Sequence, residues 1–236
     1  MSETLRLVAG GRGLVSLLTR AVAIDATSLA RFRQMKAGSP ADASAGDKPQ
    51  HPTMDVFVRT PFEVVASRRV GGEISRDGAV VSARELCDAL AAIDFTSLSK
   101  EDSVDVDAGT PKDPAWPGAL PPAEGFQLVD NLPVSVVREL ADKGHVLARQ
   151  FSGPLGPPSS LMNQTVVTVV SADETLRVDI PMRMIFACTS LGLIPGFSAP
   201  MDIPRHVRVS VCGRWIRLDA PFGTVYYSNR ISLLTV

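Results

Sequence analysis

The chain has 236 residues, 45% of them hydrophobic and 21% charged, enough for one large core or two small ones without disulfide or metal staples. Its 24 Lys and Arg against 25 Asp and Glu leave a net charge of -1, so no global field draws it to polyanions and nucleic-acid binding would need a local basic face. The three cysteines, Cys87, Cys188 and Cys212, make no CxxC pair or Cys/His cluster, which argues against a disulfide framework or a thiolate metal site, and they read as reduced apolar residues.

Met1 to Val8 lacks the basic start and long apolar run of a secretory signal. The longest apolar runs, Val166 to Val170 and Ile231 to Val236, fall far short of the ~20 residues that span a bilayer. The expectation is a soluble cytoplasmic protein without a membrane segment.

Leu5 to Val8 reads as a strand and Gly13 to Val22 as a helix with Leu14, Leu17, Leu18 and Ala21 on one face. Ser28 to Gln34 and Met54 to Thr60 alternate as strands, split by a polar insertion at 37–53, and Glu63 to Val70 continues as a third strand after Pro61. Ser82 caps a helix running through Ala91 with Leu86 and Leu90 buried. Residues 99–125 begin acidic and carry five prolines, which predicts an extended linker pinned by Trp116.

After it, Asn131 is placed to cap a helix from Leu132 to about Arg149, with Val137, Leu140, Ala141, Leu147 and Phe151 at helical spacing. Gly144 within that helix costs ~1 kcal/mol relative to Ala. Ser152 to Ser160 is a proline-rich loop. Strands follow at Thr165 to Val170 and Leu176 to Ile180, then a helix from Pro181 to Leu191 and strands at His206 to Val211, Trp215 to Asp219 and Thr224 to Tyr227.

This order contains a repeat. Leu5, Arg6, Leu7, Arg12 and Leu14 align at a shift of 171 with Leu176, Arg177, Val178, Arg183 and Ile185. Val56, Val58, Pro61, Phe62 and Val65 align at a shift of 160 with Ile216, Leu218, Pro221, Phe222 and Val225. The difference of 11 is absorbed by the insertion at 37–53. The fold class expected is therefore α+β, with two pseudo-repeated strand-helix-strand-strand halves, a mainly antiparallel sheet and covering helices. The halves span 1–98 and 126–236, joined by the 99–125 linker and able to share one core.

The run MDVFVRTPFEVVASRRV from Met54, followed by AVVSARELCDAL from Ala79, resembles the strand, strand, strand-into-helix layout within a DNA processivity clamp domain. The resemblance implies a topology and no particular activity.

No catalytic constellation stands out. There is no GxSxG nucleophile elbow, and His51, His145 and His206 lie at no metal-ligand spacing, so neither a catalytic site, a metal site nor a cofactor is expected. Gly10, Gly11, Arg12 and Gly13 lie between a strand and a helix, where backbone amides could cradle a phosphate; a tight turn explains them as well. Glu101, Asp102, Asp105 and Asp107 form an acidic tether that could meet a basic partner. The densest basic stretch, Arg205, His206, Arg208, Arg214, Trp215 and Arg217, interleaves an aromatic and is the expected contact surface. The reading is a non-catalytic scaffold or adaptor acting through another protein, with a homodimer compatible with uncovered sheet edges. The alternatives are a nucleic-acid-associated factor of clamp-like topology and an enzyme holding a small phosphate ligand at Gly10 to Gly13.

Overall fold

The computed structural model describes residues 2–35, 51–97, 102–151, 158–196 and 198–228. They form an α+β protein of two compact units, Met1–Pro61 with Val65–Ala119 and Phe62–Val64 with Leu120–Val236. Apart from residues 51–53, the insertion expected at 37–53 lies outside the described residues, and Thr53 already opens a strand.

The first unit runs β1 (Glu3–Ala9), α1 (Gly11–Ile24), β2 (Leu29–Gln34), β3 (Thr53–Arg59), β4 (Val65–Ile74), β5 (Val80–Ser82), α2 (Ala83–Ala91) and β6 (Val104–Gly109). Every pairing is antiparallel, in the order β5-β2-β3-β4-β1-β6. Leu14, Leu17 and Leu18 of α1, Leu86 and Leu90 of α2, and Phe32, Met54, Val56 and Ala66 of the strands are almost fully buried and form the core. The Ser82 hydroxyl accepts the Glu85 amide at 3.4 Å, the cap expected of a Ser placed three residues before an acid.

The start of the segment expected to be an extended acidic linker is instead a paired strand. Val104, Val106 and Ala108 alternate with Asp105 and Asp107, a period of two that buries Val106 and Ala108 and turns the acids to water, so β6 pairs with β1. The Arg6 guanidinium donates to both Asp105 oxygens at 2.9 and 3.1 Å. Further on, Lys112 N–H donates to the Val80 carbonyl at 2.7 Å, and Asp113 accepts from Val80 N–H at 3.2 Å and from Arg76 at 2.7 Å. Trp116 is buried, with the Arg31 guanidinium 5.8 Å from its ring, so it does pin the segment down.

The second unit runs β7 (Gln127–Pro133), α3 (Val134–Phe151), α4 (Ser159–Asn163), β8 (Thr165–Val170), β9 (Arg177–Pro181), α5 (Met182–Ser190), β10 (His206–Cys212), β11 (Trp215–Ala220) and β12 (Gly223–Ser228). Strands β7-β10-β11-β12 pair antiparallel, and β8 and β9 form a separate hairpin. Ile180, Met184, Ile185, Ala187, Val207, Val209, Leu218 and Val225 are buried between the strands and helices.

Two expectations for α3 are corrected. Asn131 is a strand residue opposite Arg208, and the helix begins at Val134 after Pro133. The buried stripe is Val134, Val137, Ala141, Gly144 and Ala148, whereas Leu147 is 40% exposed. A Cβ at Gly144 would lie 2.7 Å from Met182 Cε and 2.8 Å from Phe186 Cε1, so glycine is the residue that lets α3 and α5 approach.

The pairings explain the sequence repeat. In the first unit β2 lies between β5 and β3, β3 pairs β4, and β1 pairs β6. In the second unit β10 lies between β7 and β11, β11 pairs β12, and β9 pairs β8. Thus β1-α1-β2-β3-β4 corresponds to β9-α5-β10-β11-β12, and β5-α2-β6 corresponds to β7-α3-β8. The first unit places its long motif before the short one, and the second reverses that order. The shifts of 171 and 160 join the two long motifs, and Pro61-Phe62 and Pro221-Phe222 occupy equivalent strand-to-strand turns.

Candidate functional site

The basic stretch folds into the β10–β11 hairpin and the neighbouring β12. Along β10, Val207 and Val209 turn into the core while His206, Arg208 and Cys212 lie on the other face. Along β11, Ile216 and Leu218 turn inward, and Trp215, Arg217 and Asp219 share the outer face. The register sets Arg208 opposite Asp219, Cys212 opposite Trp215, and Arg217 opposite Tyr226 of β12. One sheet face therefore gathers guanidinium, aromatic and carboxylate groups from three strands.

The five arginine and tryptophan positions have different jobs. Arg205 donates to the carbonyls of Gly196 at 3.0 Å and Ala199 at 2.8 Å, holding the loop after α5. Arg217 lies with its guanidinium 4.5 Å from the Phe126 ring and its Nε 2.9 Å from Asp219 Oδ2. Asp219 also accepts from the Thr224 hydroxyl at 2.9 Å, and Phe126 meets Tyr226 edge-on at 6.0 Å. Within that cluster the Arg217 charge faces the Asp219 carboxylate. Arg214, at the hairpin turn beside Gly213 (φ 53°), is exposed and sits 6.0 Å from the half-buried Trp215 ring. Arg208 is half-buried between Asn131 and Asp219.

Sequence reasoning missed Phe126, Asp219, Thr224 and Tyr226. Phe126 follows directly on the segment read as linker, and the others are contributed by register, which no local pattern reveals. The result is a face that carries Arg208, Arg214 and Trp215 beside an aromatic-arginine cluster.

Gly10, Gly11, Arg12 and Gly13 open α1. Gly10 has φ 84° at the N-cap, and its carbonyl accepts the Leu14 amide at 3.0 Å. A Cβ on Gly11 would lie 2.3 Å from the Phe95 ring, and one on Gly13 would lie 2.1 Å from the Arg68 guanidinium. These two glycines thus admit an aromatic ring and a guanidinium against the helix. Burial lowers the Arg68 pKa below its ordinary value. Arg12 is exposed.

The chemistry of the remaining groups is quiet. Among the described residues no three His, Cys, Asp or Glu side chains are grouped to hold a metal ion. His51 and His206 are exposed, and His145 stacks on Phe186 at 4.7 Å. Cys188 is fully buried and its thiol is pushed up to about 12, far from a nucleophile's range. No helix among the described residues is long and apolar enough to cross a membrane.

Comparison with solved structures follows the same topology. The sliding clamp of Bartonella birtlesii, bound to griselimycin, aligns with 95% of this chain and 64% of its own at 12% identity and TM-score 0.51. The DNA polymerase sliding clamp of Bacillus subtilis aligns with 97% of this chain and 64% of its own, at 9% identity and TM-score 0.52. The clamp of Pseudomonas aeruginosa aligns with 96% and 64%, at 12% identity and TM-score 0.50. This chain has the sliding-clamp fold. It spans about 64% of the length of the clamps it matches, and identity at this level shows fold alone.

Residues 2–118 match the family model of a domain of unknown function, DUF8010, and residues 121–231 match a second, DUF8185. No curated protein matches the sequence significantly. The clamp topology expected from the Met54 to Leu90 run thus extends through both units.

Proposed function

We propose that the chain is a non-catalytic binding protein on a clamp scaffold, acting through protein-protein contacts made by the outer β10–β11 face. The observation that carries the reading is the sliding-clamp fold over both units, a fold whose solved examples are named as DNA polymerase clamps. Arg208, Arg214 and Trp215 are the contact residues, with Arg217 as their support. A homodimer is a further part of this reading, as is a cytoplasmic location.

A second reading, direct association with nucleic acid, is favoured by the clamp likeness and by α1, whose only charged residues are Arg12 and Arg20, both exposed. The net charge of -1 and the Asp219 partner of Arg217 weigh towards protein contact.

Affinity capture from the native cells, with and without nuclease, separates the two. Wild type should recover defined proteins that survive nuclease and are lost with Arg214→Ala/Trp215→Ala. Recovery that vanishes with nuclease, together with duplex DNA binding that weakens steeply with salt, would favour the second reading. Identical recovery by wild type and the double variant would reject the face.

A further inference from the structure

Residues that lie opposite one another across an antiparallel pair share a face of the sheet. In the first unit Arg31 of β2 lies opposite Phe57 of β3 and Val80 of β5, and Arg59 stands two residues along β3 from Phe57. Arg31 and Arg59 are therefore diagonal neighbours, about 7–8 Å apart, on the face turned away from the core residues Phe32, Val56 and Met54. Arg31 is half-buried and Arg59 is exposed. Two like charges so placed repel unless an anion joins them.

Among the described residues neither guanidinium has an ion pair or a hydrogen bond. Asp55, on the same face, is held by Arg69 at 2.8 and 3.0 Å, and Asp113 by Arg76 at 2.7 Å and the Val80 amide at 3.2 Å. The Arg31 guanidinium lies 5.8 Å from the ring of Trp116, which follows the 3-10 turn Asp113–Ala115 and is 8% exposed. Arg31 Nε and Trp116 Nε1 are both buried donors with no acceptor among the described residues. A buried donor without an acceptor costs stability, and two on neighbouring side chains mark a place where a bound group supplies one.

We propose that Arg31, Arg59 and the Trp116 indole N–H form a docking site for the side-chain carboxylates of an acidic, extended peptide segment of a partner protein. A carboxylate is a planar acceptor with two oxygens, able to take N–H donors from Arg31 and Trp116 together, and Arg59 supplies the cation for a second acid. The spacing selects the peptide: side chains two residues apart in an extended chain stand ~7 Å apart on one side, the separation of the two arginines. The chain's own insertion at 36–50 does not fit, because it sets two lysines against two aspartates, Asp42 and Asp47, that are five residues apart. The net charge of -1 and the Asp55 carboxylate on the same face disfavour a polyphosphate. This site stands independently of the β10–β11 reading.

Titration of the full chain with the peptide acetyl-ESESE-amide, followed by the assigned indole N–H resonances of Trp116 and Trp215, tests it. The Trp116 signal should move downfield and saturate while that of Trp215 stays in place, and acetyl-QSQSQ-amide should move neither. Arg59→Gln, at an exposed position that leaves the fold intact, should weaken binding about threefold, and Arg31→Gln/Arg59→Gln at least about tenfold. No saturable shift, or an Arg59→Gln affinity equal to wild type, overturns the site. An equal response to acetate and inorganic phosphate shows an adventitious ion only and overturns the peptide assignment, as does a DNA duplex that shifts the Trp116 signal at lower concentration than the peptide.

Discussion

Gly144→Ala is the substitution for which helix propensity and packing predict opposite signs. Propensity alone favours Ala in a helix interior by ~1 kcal/mol. The Cβ, however, would arrive 2.7 and 2.8 Å from Met182 Cε and Sδ and 2.8 Å from Phe186 Cε1. Met182 is a flexible side chain but only 4% exposed, and the Phe186 ring is held by His145 at 4.7 Å and Phe62 at 6.4 Å. Neither neighbour can retreat freely, and overpacking of this kind costs ~1–3 kcal/mol. The net expectation is a loss of about 1 kcal/mol, or a melting temperature lower by roughly 2–4 °C for a chain of this size. Thermal unfolding followed by circular dichroism reads it, with Asp142→Ala on the exposed face of the same helix as a propensity control. A Gly144→Ala variant more stable than wild type would refute the α3–α5 packing argument.

Acid should loosen the β6 strap. Hydrogen bonds from Arg6 hold the Asp105 pKa below its ordinary value, and those from Arg76 do the same for Asp113. Because both are depressed in the fold, their contribution is present above the unfolded value near pH 4 and is lost as pH falls through the folded values. Protection of the Val106 and Ala108 amides, taken relative to their intrinsic exchange at each pH, should therefore fall selectively at low pH, and Asp105→Asn/Asp113→Asn should remove much of that dependence; pH-independent protection would contradict the pinning. Thiol reagents at pH 8 should modify Cys212 in the native state and all three cysteines after denaturation, since Cys87 and Cys188 are buried. Fast native reaction at Cys188 would contradict its burial.

What could be read from sequence depended on whether the signal was local. The helix α1 was legible because Leu14, Leu17, Leu18 and Ala21 face the core and nothing else contributes to that pattern. The two long motifs were legible because their turns each carry Pro-Phe. Their permuted partners were not, because β5-α2-β6 and β7-α3-β8 occupy opposite ends of the units and share no such marker. Strand β6 was hidden by composition: its two aspartates looked like a solvated tether, although the intervening Val106 and Ala108 already had strand period. Asn131 mimicked a cap because a capping residue and an exposed strand residue look alike until the register is known. On the candidate face, Arg205 and Arg217 could not be separated from Arg214 by sequence, since their partners are carbonyls, a cross-strand carboxylate and a ring from elsewhere in the unit.

The claim that this chain works through the outer β10–β11 face is tested most directly by calorimetric titration of a recovered protein partner against wild type and Arg214→Ala/Trp215→Ala. Removing a hot-spot pair costs ~2 kcal/mol or more, so affinity should fall about 30-fold with the melting temperature unchanged. Equal affinity for the two proteins would contradict the account.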